Sequence, residues 1–328
     1  LNAPDRISRW ELFSHFTDEQ LAKLAPALAP YSSGVGTEIF RFQETSRSVY
    51  LLESGRVQIH RETPYGLYPL ATLGEGSLFG ETSFIDGEPR SGAAVVDGDS
   101  EMIVFGHAEL QPILAADQRL SVALYWTFWK SLAKKLRRTN EKLTQFFSEA
   151  GQEEETEASA NNDPTGEFHV DLASKKALFQ EQKLSDMEIN FLATLSKVIK
   201  ARPGKALFHE GDVGDKMYVV LEGKVMISKY IPGAGEEALA FLVRGDYFGE
   251  MALIDNQPRS ADAKASSEGA VLLAIPREVV EGLLDINKVS SLRLLLILCN
   301  LIAKRLRELN EKLITWYIFS GGPGTSGT

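Results

Sequence analysis

The sequence predicts an α+β protein of two β-roll (jelly-roll-like) domains, each flanked by N-terminal helices and a long C-terminal helix. Three observations carry that prediction. First, the 328-residue chain repeats itself: residues 50–57 match 218–225 at an offset of 168, and residues 133–143 match 303–313 at an offset of 170. So long a register of agreement marks whole duplicated units. Second, in residues 38–104 and again in 206–275, runs of Val, Ile, Leu, Tyr and Phe alternate with Gly, Pro, Asp and Ser. Their spacing of roughly ten residues is that of short strands joined by tight turns. Third, each such body is followed by a long stripe at helical spacing: Leu132, Leu136, Thr139 and Leu143 in the first copy, Ile302, Leu306, Leu309 and Leu313 in the second.

Each copy opens on a helix. In the first, Thr17-Asp18-Glu19-Gln20-Leu21 gives an N-cap threonine, an acidic first turn, then apolar residues at helical spacing through Leu24 and Leu28. Ser185-Asp186-Met187-Glu188 opens the second in the same way. In the long helices, Tyr125, Trp126, Phe128 and Trp129, and then Trp316, Tyr317 and Phe319, add apolar surface expected in the core or as a helix-pairing face, and so a route to a homodimer through the C-terminal helices. Between the copies, residues 149–163 carry six acids and no base, a composition that cannot bury enough apolar surface to order itself. The domains are therefore expected at 1–148 and 171–320, with an acidic flexible linker at 149–170 and a disordered tail at 321–328.

Composition narrows the function classes. With 44% hydrophobic and 24% charged residues the chain has the profile of a globular protein. A net charge of -10 argues against broad affinity for nucleic acid or anionic membrane, which rests on Lys and Arg neutralising phosphates. The single cysteine, Cys299, excludes a disulfide framework within the chain and reads as a small buried hydrophobe. The five histidines, His15, His60, His107, His169 and His209, lack metal-ligand spacing, so no metal and no cofactor are expected. The longest apolar stretch, residues 294–302, is interrupted by Asn300 and too short to span a bilayer, and a cytoplasmic location is the default. Because the chain begins at Leu1 rather than methionine, the expectation is a piece of a longer protein whose partner or output domain lies elsewhere.

The chemistry concentrates in a motif present twice. Phe79-Gly80-Glu81-Thr82 is followed by Arg90-Ser91, and Phe248-Gly249-Glu250-Met251 by Arg259-Ser260, with nine residues from each glutamate to its arginine. A glutamate can accept a sugar O–H, and a guanidinium can take a phosphate bidentately. A glycine lets backbone approach a ligand closely, and amides opening a short helix add fixed donors for an anion. The competing structural reading, Glu and Arg paired on a surface loop, weakens once two copies share one spacing inside matching frameworks.

These residues make the chain resemble a tandem pair of cyclic nucleotide-binding domains. The resemblance implies that the Phe-Gly-Glu to Pro-Arg-Ser stretch forms a phosphate-binding cassette, a short helix plus loop inside the β-roll. Arg90 and Arg259 would then orient the phosphate, Glu81 and Glu250 would hold the ribose hydroxyl, and Ser91 and Ser260 would add one hydroxyl each. It also implies that the base is capped from the helix after the roll. There Arg137 with Asn140, and Arg307 with Asn310, lie three apart on one helical face, which reads equally as a base cap or as a solvated charged face. The ligand is a cyclic purine mononucleotide, with cAMP and cGMP both open. The first copy departs further from the family pattern: Phe42-Gln43-Glu44 replaces the turn Glu210-Gly211-Asp212, so unequal affinities are expected.

The function expected is that of a non-enzymatic sensor or regulatory protein that couples ligand binding in two cassettes to movement of its C-terminal helices. The alternative is an interaction scaffold in which one or both pockets bind no nucleotide. Direct DNA binding by this chain is not expected, for want of a helix-turn-helix. A pseudosubstrate segment is poorly matched by Arg6-Ile7-Ser8-Arg9, and a cupin-type metal enzyme would need clustered histidines.

Overall fold

The computed structural model describes residues 2–148, 165–167, 171–181, 186–231 and 235–320. The acidic stretch 149–163 of the expected linker, the N-cap Ser185 and the tail at 321–328 lie outside them. In chain order the first half holds α1 (Ala3–Ile7), α2 (Asp18–Leu24), β1 (Leu28–Ser33), β2 (Glu38–Phe40), β3 (Val49–Thr63), β4 (Gly66–Leu73), β5 (Leu78–Phe79), α3 (Glu81–Asp86), β6 (Ala93–Phe105), α4 (His107–Ala116) and α5 (Gln118–Ser148). The second half holds β7 (Thr165–Glu167), α6 (Leu172–Glu181), α7 (Asp186–Leu195), β8 (Lys197–Ala201), β9 (Ala206–Phe208), β10 (Lys216–Ile231), β11 (Gly235–Leu242), β12 (Tyr247–Phe248), α8 (Met251–Asp255), β13 (Asp262–Pro276), α9 (Arg277–Leu283) and α10 (Leu292–Phe319).

Two antiparallel β-rolls result, with strand orders β1-β6-β3-β4 and β11-β10-β13-β8-β7. The duplicated sequence gives duplicated register. Tyr50 pairs with Phe79 and Leu51 with Leu78; in the second roll Tyr218 pairs with Phe248 and Val219 with Tyr247. Inward-facing residues alternate along these strands as the pleat requires. Leu52, Val57, Phe79, Val96 and Met102 fill the first roll, and Val220, Val225, Phe248, Ala263 and Leu272 the second.

Local chemistry sets the helix ends. The Thr17 hydroxyl accepts from Gln20 N–H while the Gln20 side chain accepts from Thr17 N–H, a closed capping box. The helix stops at Leu24, however, and Leu28, expected on its apolar stripe, opens β1 instead. Pro26 forces a short 3-10 turn between them, since proline cannot donate to a continuing helix. Both sheets also begin before the residues expected from alternation, at Leu28 in the first roll and at Thr165 in the second. Thr165–Glu167, expected within the linker, is an edge strand paired with β8.

The chain divides into two compact units that do not follow the repeat boundaries. One holds the chain up to Leu132 together with the part from Ile286 onward; the other is Ala133–Asp285. Helix α10, which follows the second roll in sequence, therefore belongs with the first. Its Tyr317 ring packs 4.6 Å from Tyr68 of β4, and its Glu311 pairs with Arg61 of β3. The stripes are buried as expected at Leu132, Leu136, Leu143, Ile302, Leu306, Leu309 and Leu313, whereas Phe319, expected in the core or on a helix-pairing face, is 84% exposed at the helix end and so is not in the core. Cys299 is fully buried, and burial raises its thiol pKa well above the usual value. Among the described residues no helix is long and apolar enough to cross a membrane.

Thr17→Ala should destabilise the first unit by about 0.5–2 kcal/mol, the usual cost of losing a cap, while Thr17→Ser stays close to the parent in urea unfolding.

Candidate functional site

Each cassette is built around an arginine inside the roll. Arg90 is 1% exposed and Arg259 4%. A buried guanidinium is costly unless its donors are met, and backbone carbonyls meet them here. Arg90 Nη1 donates to Gly80 O (2.9 Å) and Nη2 to Ser48 O (2.7 Å). Arg259 repeats this with Gly249 O (2.6 Å) and Lys216 O (2.7 Å). An aromatic ring lies against each guanidinium: Phe40 at 4.2 Å and Phe208 at 4.3 Å. Burial lowers the pKa of both arginines, with Tyr50 and Tyr218 respectively opposing it. A guanidinium keeps its proton in proteins, so both stay cationic.

This arginine explains the glycine before each glutamate. Gly80 has φ +84° and Gly249 φ +77°, a left-handed conformation that side chains rarely adopt. A Cβ at Gly80 would come within 2.7 Å of Arg90 Nη1, and one at Gly249 within 2.6 Å of Arg259 Nη1. The left-handed glycine caps α3 directly and stands one residue before the N-cap Glu250 of α8, the two cassette helices implied by the sequence resemblance.

The glutamates are as buried as the arginines, Glu81 at 0% and Glu250 at 1%. The arginines do not spend their guanidinium donors on them, so the surface-pair reading does not describe this site. Glu81 Oε1 accepts from Ser131 Oγ of α5 at 3.1 Å. Phe79 and Phe248 are packed into the rolls, stacked on Tyr50 and Tyr218 at 5.1 and 5.0 Å; their place is in the core. Thr82 is half-buried on α3, and Met251 is buried on α8, where its Sδ accepts from Ser260 Oγ at 3.9 Å. Ser91 O accepts from Arg61 Nη1.

The arginines of the long helices reach cassettes, each the cassette of the other repeat. Arg307 of α10 forks onto Asp86 at the end of α3, through Nε to Oδ2 (2.6 Å) and Nη2 to Oδ1 (3.0 Å), and donates to Pro89 O and Ser83 Oγ. Arg137 of α5 makes the matching fork onto Asp255 at the end of α8 and donates to Pro258 O. Asn140 is buried and Asn310 half-buried, and among the described residues no hydrogen bond links either side chain to a cassette. In the second unit, Arg137, Glu141, Glu210, Lys229, Arg259 and Ser260 help line a cavity of about 280 Å³.

Sequence reasoning missed Phe40 and Phe208, the carbonyls of Ser48 and Lys216, and Asp86 and Asp255. The aspartates carried a readable signal, because each closes its cassette helix at the same place in the repeat.

The family model for the cyclic nucleotide-binding domain matches residues 34–117 and 198–287, more than half of the chain. The cyclic AMP receptor protein of Thermus thermophilus is 41% identical over 113 residues, covering 34% of this chain and 49% of that protein. A cAMP-dependent protein kinase regulatory subunit of Emericella nidulans is 27% identical over 274 residues, covering 80% of this chain and 54% of that protein. The chain thus spans about half the length of these two relatives. Among solved structures, the regulatory domain of Toxoplasma gondii PKA with cAMP aligns with 88% of this chain and 93% of its own, at 17% identity and a TM-score of 0.31. With both cassettes inside the matched residues, the chain belongs to the cyclic nucleotide-binding domain family, one domain in each repeat.

Proposed function

We propose that the chain is a non-enzymatic sensor of a cyclic purine mononucleotide, cAMP or cGMP, working in the cytoplasm as a regulatory protein. One observation carries the reading. Arg259 is buried beside Glu250, its terminal nitrogens are held by Gly249 O and Lys216 O, and its Nε is a buried donor with no partner among the described residues. A buried unmet donor on a permanent cation is costly, and a phosphate oxygen meets it. The glutamate suits the ribose 2′-hydroxyl, Ser260 adds a hydroxyl, and Arg137 stands at the cavity where a base would be capped. In the first cassette Arg90, Glu81, Ser91 and Arg307 hold the corresponding places.

The output runs through the Arg–Asp forks. A ligand that pulls a cassette inward shifts α3 or α8, and with it Asp86 or Asp255, to which α10 and α5 are tied. Ligand occupancy then favours one placement of the long helix to the extent that it binds that placement more tightly. A protein partner or output domain would read the helices. A scaffold reading has support at the first cassette alone, where Arg90 Nε already has a protein partner, Ser46.

Calorimetric titration of the chain with cAMP and then cGMP should show binding that weakens at least about tenfold in Arg259→Ala, the loss of a charged hydrogen-bond partner. No binding of either nucleotide by the parent chain would move the scaffold to first place. Independently, Arg307→Ala should speed hydrogen exchange along α10 while leaving β3 and β6 protected; unchanged exchange in α10 would mean that the fork onto Asp86 does not hold the helix.

A further inference from the structure

The two cassettes differ at one atom of their central arginines. The arginines' other hydrogen bonds and ring contacts are duplicated: both guanidiniums sit over a phenylalanine, both donate to the same two carbonyl positions, and the turn before β3 or β10 bonds each in the same register. Gln43 N–H donates to Arg90 O (3.0 Å) and Gly211 N–H to Arg259 O (2.9 Å), while Arg90 and Arg259 N–H donate to Glu44 O and Asp212 O, both at 2.9 Å. Gln43 adopts φ +66° to do so, holding a left-handed conformation that glycine supplies in the second copy. The difference lies at Nε. Arg90 Nε donates to Ser46 Oγ at 3.1 Å, whereas Arg259 Nε has no partner among the described residues.

At the 168-residue offset of this segment, Ser46 corresponds to Gly214. The second cassette has no room for a serine there: a Cβ on Gly214 would lie 2.4 Å from Ala252 Cβ and 3.2 Å from Arg259 Cζ. In the first cassette the serine is also backed by an anion. Burial opposes ionisation of Glu44, yet hydrogen bonds from Ser46 and Arg41 N–H, with the charge of Arg90, outweigh it and hold the carboxyl below its ordinary range. The Glu44 carboxylate thus adds negative charge beside the bond from Arg90 Nε to Ser46 Oγ. A phosphodiester oxygen would offer Nε the same partner, negative charge and an acceptor.

We propose that Ser46, backed by Glu44, is an internal stand-in for the ligand's phosphate oxygen that makes the first cassette bind a cyclic nucleotide more weakly than the second. The inference rests on the sensor reading above and assigns its two sites different working ranges: a ligand must displace a built-in acceptor at Arg90 and meets an unoccupied donor at Arg259. Ser46 is accordingly a specificity-determining residue that acts against binding, so its removal tightens the site.

The test is a gain of affinity. Calorimetry with cAMP, repeated with cGMP, is run on the full chain, on Arg259→Ala to silence the second site, and on Arg259→Ala combined with Ser46→Ala. The parent chain should show a tight and a weaker event, Arg259→Ala the weaker one alone, and the double variant the remaining event tightened about tenfold, as for one charged hydrogen bond. Ser46→Thr, which keeps the hydroxyl, should leave it weak, and Ser46→Gly, the residue of the second copy, repeats the test should Ser46→Ala melt early. Unchanged or weaker binding after Ser46→Ala or Ser46→Gly, with the parent chain binding normally, overturns the inference and leaves the sensor reading standing. Absence of nucleotide binding by the parent chain overturns both.

Discussion

A buried guanidinium held by two backbone carbonyls is the constraint on which the rest of each cassette depends. The charge sits inside the roll, where only polar partners make it tolerable. The carbonyls come from the residue before or at the start of the central strand, Ser48 or Lys216, and from the glycine after the short strand, Gly80 or Gly249. Those two bonds tie the cassette loop to the roll. They also require a left-handed glycine, because a side chain there would strike the guanidinium, and the left-handed turn in turn launches the cassette helix with its glutamate buried. Moving the arginine would therefore disturb the loop, the helix start and the strand pairing Tyr50–Phe79 or Tyr218–Phe248 together.

Much of this could be read before any coordinates. Two copies of Gly-Glu with an arginine nine residues on identified the charged centre, since chance does not repeat charges at fixed spacing within matching apolar frameworks. The β-rolls followed from alternation, and Thr17 from its capping chemistry. What stayed hidden was whatever depends on chain path. Phe40 lies under Arg90 because β2 runs beside β6, and no local pattern announces that pairing. Leu28 kept helical spacing but fell beyond Pro26, where propensity gives way to a missing donor.

The helix arginines show the same limit. Periodicity placed Arg137 and Arg307 on a helix face and left open whether that face was solvated. It could not say which body the face would meet. Each fork lands on the aspartate that closes a cassette helix in its own compact unit, Arg307 on Asp86 and Arg137 on Asp255. Through them a six- or five-residue helix is tied to a much longer one. A bidentate arginine–carboxylate pair is directional, so each fork fixes the angle as well as the distance between the two helices.

Duplication within one chain has a consequence that assembly from identical subunits lacks. Two copies of one sequence must share every residue of their sites, whereas tandem copies can diverge one position at a time. Here the carbonyl cradle, the aromatic ring, the left-handed glycine and the helix fork are all retained twice. Those are the parts whose loss would leave a charge buried without partners, and their retention follows from stability alone. The position facing Arg90 Nε is under no such demand, because a hydroxyl or an external anion serves that donor equally well. Divergence between Ser46 and Gly214 therefore falls beside that donor, where the first copy has space for a side chain and the second, with Ala252 Cβ 2.4 Å from where a Cβ would lie, does not.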